Sequence, residues 1–196
     1  MSRYDERTAL VVIDLQNDFA DPAGSLAVDG GEHVVAAANR EVRSAVGDGA
    51  LVVATQDWHP ESTPHFAKDG GVWPVHCVGG TWGAELSPRF ELRADAPRVR
   101  KGTNGEDGYS GFTVRDPESG KEAPTGLEGL LRGREIRRVV LCGLATDYCV
   151  LATALDAVRL GFEVRLVADG VAAVNLHPTD GERALAEMAE AGVVIG

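Results

Sequence analysis

The chain has 196 residues, 44% apolar and 25% charged, the balance expected of one soluble globular domain with a full core. A formal net charge of -11 argues against nucleic acid and against anionic membranes as partners. Three cysteines, a low and odd count, make no disulfide framework; the polar start Met1–Arg7 carries no signal-peptide pattern, and no apolar stretch is long enough to span a bilayer, so a cytoplasmic protein with reduced thiols is expected.

Ala9 to Ile13 is an apolar, β-rich run and predicts a strand that ends at Asp14. Val34, Val35, Ala38, Val42 and Val46 recur at helical spacing, predicting a helix over 32–46. A second strand is expected over Leu51–Thr55, followed by Asp57-Trp58-His59. Residues 57–97 have no strong periodicity but hold all three tryptophans and three of the five histidines. A loop that long in a compact domain is usually functional or disordered, and this composition speaks for function. Arg98 to Lys101 is a weaker third strand, Leu127 to Leu131 a short helix, and Val139 to Leu141 a strong fourth strand. Thr146 to Leu160 reads as a helix through Leu151, Leu155 and Val158. A strand over Val164–Val167, a helix over Thr179–Ala191 and a short strand over Val193–Ile195 complete the pattern.

Helices alternating with apolar, non-alternating strands imply a parallel sheet covered on both faces. The expected fold is one α/β domain over residues 1–196, a three-layer α/β/α sandwich with a six-stranded parallel sheet. In such sheets the site lies beyond the carboxyl ends of the strands, where the strand order reverses. Asp14, Asp57, His59, Lys101 and Ala145–Cys149 then share one edge. With the order 3-2-1-4-5-6, Asp14 and Cys149 come from neighbouring strands flanking the reversal.

Cys149 falls just after a strand and in the first turn of a helix, where unpaired N–H groups and the helix dipole favour a thiolate and can hold an oxyanion. Beside it, Asp14 suits a general base, and the Lys101 ammonium would keep Asp14 ionised and favour the thiolate. The bland alternatives are a buried structural cysteine, a turn-capping aspartate and a solvated lysine. Asp57, His59, His65 and His76 offer one carboxylate and three imidazoles, a set that suits one divalent ion, Zn, Fe or Mn. Cys77 follows a candidate ligand but points the wrong way in an extended segment. His33 and His177 read as surface residues and Cys142 as core.

Asp14, Lys101 and Cys149, with Gly143-Leu144-Ala145-Thr146-Asp147-Tyr148-Cys149-Val150, resemble the isochorismatase-like cysteine hydrolases. The Asp57-Trp58-His59, His65 and Trp73-Pro74-Val75-His76-Cys77 segments are similar to the nicotinamidase (pyrazinamidase) branch of that superfamily. The resemblance covers Ala9 to the C-terminus. It implies hydrolysis of nicotinamide to nicotinate and ammonia in NAD salvage, with Cys149 as nucleophile, Asp14 as base and then acid, and Lys101 tuning both. It further implies a cis Leu144–Ala145 peptide with Ala145 and Cys149 N–H groups as oxyanion hole. The metal on Asp57, His59, His65 and His76 would take the pyridine nitrogen. Phe19 and Trp73 would sandwich the ring, with Tyr109 as a further pocket aromatic. Partners are limited to a small-molecule substrate, with a homo-oligomer left open.

Two features depart from that family pattern: the polar stretch Asn104–Asp107, with slightly altered spacing to Tyr109, and Trp82 where a smaller residue or proline is expected. Both bear on the pocket rim. The alternative functions are hydrolysis of another small amide or an enol ether on the same triad, or direct activation of water by the metal with Cys149 structural.

Overall fold

The computed structural model describes residues 3–196. Its strands are β1 (Thr8–Ile13), β2 (Leu51–Asp57), β3 (Arg98–Lys101), β4 (Thr113–Arg115), β5 (Glu122–Pro124), β6 (Arg138–Leu144), β7 (Glu163–Ala172) and β8 (Val194–Ile195). Six of them form one sheet in the order β3-β2-β1-β6-β7-β8, with every pairing parallel. The antiparallel β4–β5 hairpin stands apart. With that hairpin set aside, the sheet strands run 3-2-1-4-5-6.

β1 shows why the central strands read as unbroken apolar runs. Leu10 and Val12 enter one hydrophobic cluster, while Ala9, Val11 and Ile13 enter another on the opposite face. The helices are α1 (Asn17–Ala20), α2 (Gly31–Gly47), α3 (Leu127–Arg132), α4 (Leu151–Arg159) and α5 (Asp180–Glu190). α2 covers the first face through Val34, Val35, Ala38, Val42 and Ala45. Leu127 and Leu131 of α3, Ala154 and Ala157 of α4 and Met188 of α5 cover the second. This is the expected three-layer sandwich. No helix among the described residues is long and apolar enough to cross a membrane.

Several boundaries differ from the sequence expectation. β2 continues past Thr55 because Gln56 and Asp57 pair with Arg100 and Lys101, so Asp57 ends the strand rather than following it. The helix expected from Thr146 opens as a π-helical turn, Thr146–Val150, before α4. β7 runs on to Ala172, past a register shift opposite Leu141 and Gly143; the polar Asp169 and Gly170 conceal that continuation in the sequence. α1 and the three-residue strands of the β4–β5 hairpin are too short to leave a periodic signal.

Gly143 marks the reversal of strand order. It has φ +123, and a Cβ there would strike the backbone of Ile13 on the adjacent β1. The long stretch after β2 is ordered by backbone hydrogen bonds: His59 N–H donates to the Cys77 carbonyl at 2.9 Å and Gly79 N–H to the His59 carbonyl at 2.8 Å. These bonds draw the histidine-bearing segments against the sheet's carboxyl edge.

Candidate active site

Four strand ends converge on one buried ammonium. Lys101, at the end of β3, has its Nζ 3.0 Å from Asp57 Oδ1, 3.1 Å from Asp14 Oδ2 and 3.5 Å from Cys149 Sγ. Its side chain is only 1% exposed. Burial by itself would lower the lysine pKa, but Asp14, Asp57 and Cys149 outweigh it and hold Lys101 well above its ordinary value. Burial would likewise raise Asp57; the Lys101 ammonium and the His59 and His76 imidazoles beside it reverse that and hold it well below the usual carboxylate range. The other Asp14 oxygen accepts a 2.6 Å hydrogen bond from Thr55 Oγ1 on β2. Asp14 itself has φ 48, which turns the chain out of β1 at the site.

Cys149 lies in the π-helical turn, buried among these charges. Burial pushes its thiol well above the ordinary range; Lys101 opposes this, while Asp14 and Asp57 add to it. Burial therefore works against the thiolate that the helix start and the Lys101 ammonium favour. Desolvation is the largest cause, and the two buried acids facing the sulfur add to it.

The histidines form the second half of the site. His59, His65 and His76 each offer a ring nitrogen within 4.8 Å of the others. Asp57 Oδ2 sits 3.2 Å from His59 Nε2 and 3.5 Å from His76 Nε2. His76 Nδ1 lies 2.8 Å from the Pro74 carbonyl, and His65 Nδ1 lies 3.0 Å from Asp107 Oδ1. Neither ring nitrogen of the buried His59 makes a hydrogen bond. Such an orphaned pair is costly unless one nitrogen meets a cation, so these residues fit a divalent ion. Gly102, at φ +77, lets the chain pass close over His59; a Cβ there would lie 2.9 Å from Nδ1. Cys77 stays outside this group, its backbone N–H donating to Asp18 Oδ2 at 2.7 Å. His33 and His177 are exposed, and Cys142 is buried in the core.

A mainly apolar pocket opens onto both halves. Phe19, Trp73, Tyr109, Ala145 and Cys149 line it, together with Asp57, His65 and His76. Trp73 Nε1–H donates to Tyr109 Oη at 3.0 Å, and the rings of Phe19 and His76 are 5.5 Å apart. The Leu144–Ala145 peptide is cis. A larger surface cavity at the opposite end of the sheet, bordered by Glu6, Leu51 and Arg134, contains none of these buried groups.

Four contributors escape the sequence reading. Tyr148 lines the pocket, packing edge-on against Trp73 at 4.9 Å. It stands beside Cys149 in the sequence, which is the signal that could have found it. Gln16 pins Asp57 from both sides: its Nε2 donates to the Asp57 carbonyl at 2.6 Å, and its Oε1 accepts the Asp57 N–H at 2.8 Å. Thr55 holds Asp14. Asp107, in the departing polar stretch, holds His65, and that hydrogen bond is the first cause of its carboxyl being lowered to about 2. Trp82 is 52% exposed and does not line the pocket.

Fold and site together define a doubly wound α/β protein with an acid–ammonium–thiol cluster at its switch point and an imidazole cluster beside it. The chain belongs to the isochorismatase family: the Isochorismatase domain model matches residues 8–196. It is 39% identical to the nicotinamidase of Escherichia coli (strain K12), over 95% of this chain and 93% of that protein. The crystal structure of the pyrazinamidase of Pyrococcus horikoshii in complex with zinc superposes with a TM-score of 0.86 at 43% identity, covering 97% of this chain and 98% of that one. PnC1 from L. infantum in complex with nicotinate gives 0.87 at 39% identity, covering 100% and 96%.

Proposed function

We propose that this protein hydrolyses nicotinamide to nicotinate and ammonia. One observation carries the reading: a single buried ammonium touches Cys149, Asp14 and Asp57, so it joins a thiol–carboxylate pair to the imidazole cluster across one aromatic pocket. The nicotinamidase and pyrazinamidase relatives support the same substrate class.

Cys149 Sγ attacks the carboxamide carbon as its proton passes to Asp14. Asp14 suits the base because its carboxylate and the Cys149 thiol share one ammonium, Lys101 Nζ lying 3.1 Å from Asp14 Oδ2 and 3.5 Å from Sγ. The Ala145 and Cys149 N–H groups take the developing oxyanion. Asp14 then gives the proton to the departing nitrogen, ammonia leaves, and a thioester remains. Asp14 next takes one proton from water as the water attacks the thioester, and returns it to sulfur as the acid is released; the second water proton leaves the new carboxyl for solvent, giving nicotinate. Lys101 stands beside both partners of these transfers, its Nζ 3.1 Å from Asp14 Oδ2 and 3.5 Å from Cys149 Sγ. A divalent ion held by Asp57, His59, His65 and His76 supplies, when bound, an acceptor position for the pyridine nitrogen. Phe19, Trp73 and Tyr109 enclose the flat ring.

The test is ammonia release from nicotinamide by purified protein, with and without chelator, beside the Cys149→Ala variant. Turnover that needs both the metal and Cys149 is expected. Absence of turnover in metal-loaded wild type, or full turnover by Cys149→Ala, would overturn the reading.

A further inference from the structure

The imidazoles of the cluster are oriented by different means. His76 is set by the Pro74 carbonyl two residues away, so its orientation comes with its own turn. His65 depends on a side chain 42 residues distant, the Asp107 carboxylate at 3.0 Å from Nδ1. An ionised carboxylate can only accept, so it assigns the proton to Nδ1 and leaves the Nε2 lone pair for a metal.

Asp107 is itself braced. Its N–H donates to the Arg115 carbonyl at 2.7 Å, and the Arg115 N–H donates back to the Asp107 carbonyl at 2.6 Å. Gly108 N–H donates to Asp107 Oδ1 at 2.8 Å, and the Arg115 guanidinium lies 3.5 Å from Oδ2. Arg115 belongs to the β4–β5 hairpin, whose ladder pairs it with Glu122. The hairpin that stands outside the main sheet thus reaches the imidazole cluster through one carboxylate.

We propose that Asp107 is a positioning residue for metal binding, holding the His65 ring in the tautomer and orientation that present Nε2 to a divalent ion, with the β4–β5 hairpin as its support. The proposal rests on the metal-dependent reading above. It gives the polar Asn104–Asp107 stretch a role at the metal rather than at the pocket rim.

The experiment strips the metal from wild type, Asp107→Ala and Asp107→Asn and measures zinc affinity by competition with a chromophoric chelator, without substrate. Loss of a partner outside the ligand set typically weakens metal binding about 10- to 100-fold, and that loss is expected for Asp107→Ala. Asp107→Asn keeps an oxygen that accepts from Nδ1–H and should stay within a few-fold of wild type. Both metal-free variants should melt at the wild-type temperature, and saturating zinc should restore the kcat of Asp107→Ala. Zinc binding by Asp107→Ala equal to wild type overturns the proposal, as does equal weakening in both variants with a lowered melting temperature, which would mark a collapsed loop. Failure of wild type itself to bind zinc would overturn the metal reading instead, so the two failures are distinguishable.

Discussion

Replacing Lys101 by methionine isolates what the buried ammonium does. The side chains have similar length, so the packing changes little, but the partners at 3.0 and 3.1 Å lose their counter-charge. Asp14 is fully buried and the Asp57 side chain is 7% exposed, so water cannot replace the lysine. Removing one member of a buried ion pair costs about 3–5 kcal/mol, because the remaining charge is stranded. For a chain of this size each kcal/mol lowers Tm by about 2–4 °C, so a drop of about 6–20 °C is expected. The assay is calorimetric unfolding of chelator-treated protein, since a divalent ion beside Asp57 would offset part of the loss. Adding Asp14→Asn to Lys101→Met should recover part of the stability, as one stranded charge is removed. Turnover of nicotinamide should fall by about 10²–10⁴, the contribution of a working acid–base group, because Asp14 loses the ammonium 3.1 Å from it. A Tm within about 2 °C of wild type, or a double variant whose losses simply add, would refute the argument that one ammonium holds the cluster together.

Cys149→Ala should lose several powers of ten in turnover while keeping its fold, and Cys149→Ser should be nearly as poor, because a carboxylate does not readily deprotonate a hydroxyl; rates with nicotinamide, together with circular dichroism, check both. Burial and the facing acids keep the Cys149 thiol protonated, so its alkylation by iodoacetamide should be slow at neutral pH and still rising above the ordinary thiol range; a plateau below neutrality would contradict this. Chelation should slow nicotinamide turnover strongly and barely change the slow rate with benzamide, which lacks the ring nitrogen; equal slowing of both would assign the metal to the chemistry or the fold instead. His59→Ala should raise the nicotinamide KM, yet leave Cys149 open to the same small alkylating reagent.

Much of this protein is legible in the sequence because the information is local. The apolar run of β1 reports its burial on both faces, and the helical spacing in α2 reports one covered face. The Arg98–Lys101 strand is recovered with its bounds, and Asp14, Lys101 and Cys149 fall at strand ends, where a parallel sheet collects its chemistry. The Asp57, His59, His65 and His76 set is legible from residue type and crowding in one segment.

What the tertiary structure decided is which distant groups share space, and that depends on pairings with no sequence period. Lys101 meets Asp57 as well as Asp14 because β2 and β3 pair to their last residues, so the thiol cluster and the imidazole cluster are electrically one site. Gln16 and Thr55 reach across strands to hold Asp57 and Asp14. The environment of Cys149 also waited on the fold: a helix start by itself favours the thiolate, and burial of the sulfur, with two acids facing it, works against that. Asp107 looked like one polar loop residue among several. Its meeting with His65 is set by the hairpin's backbone ladder, and a contact across 42 residues leaves no local pattern to read.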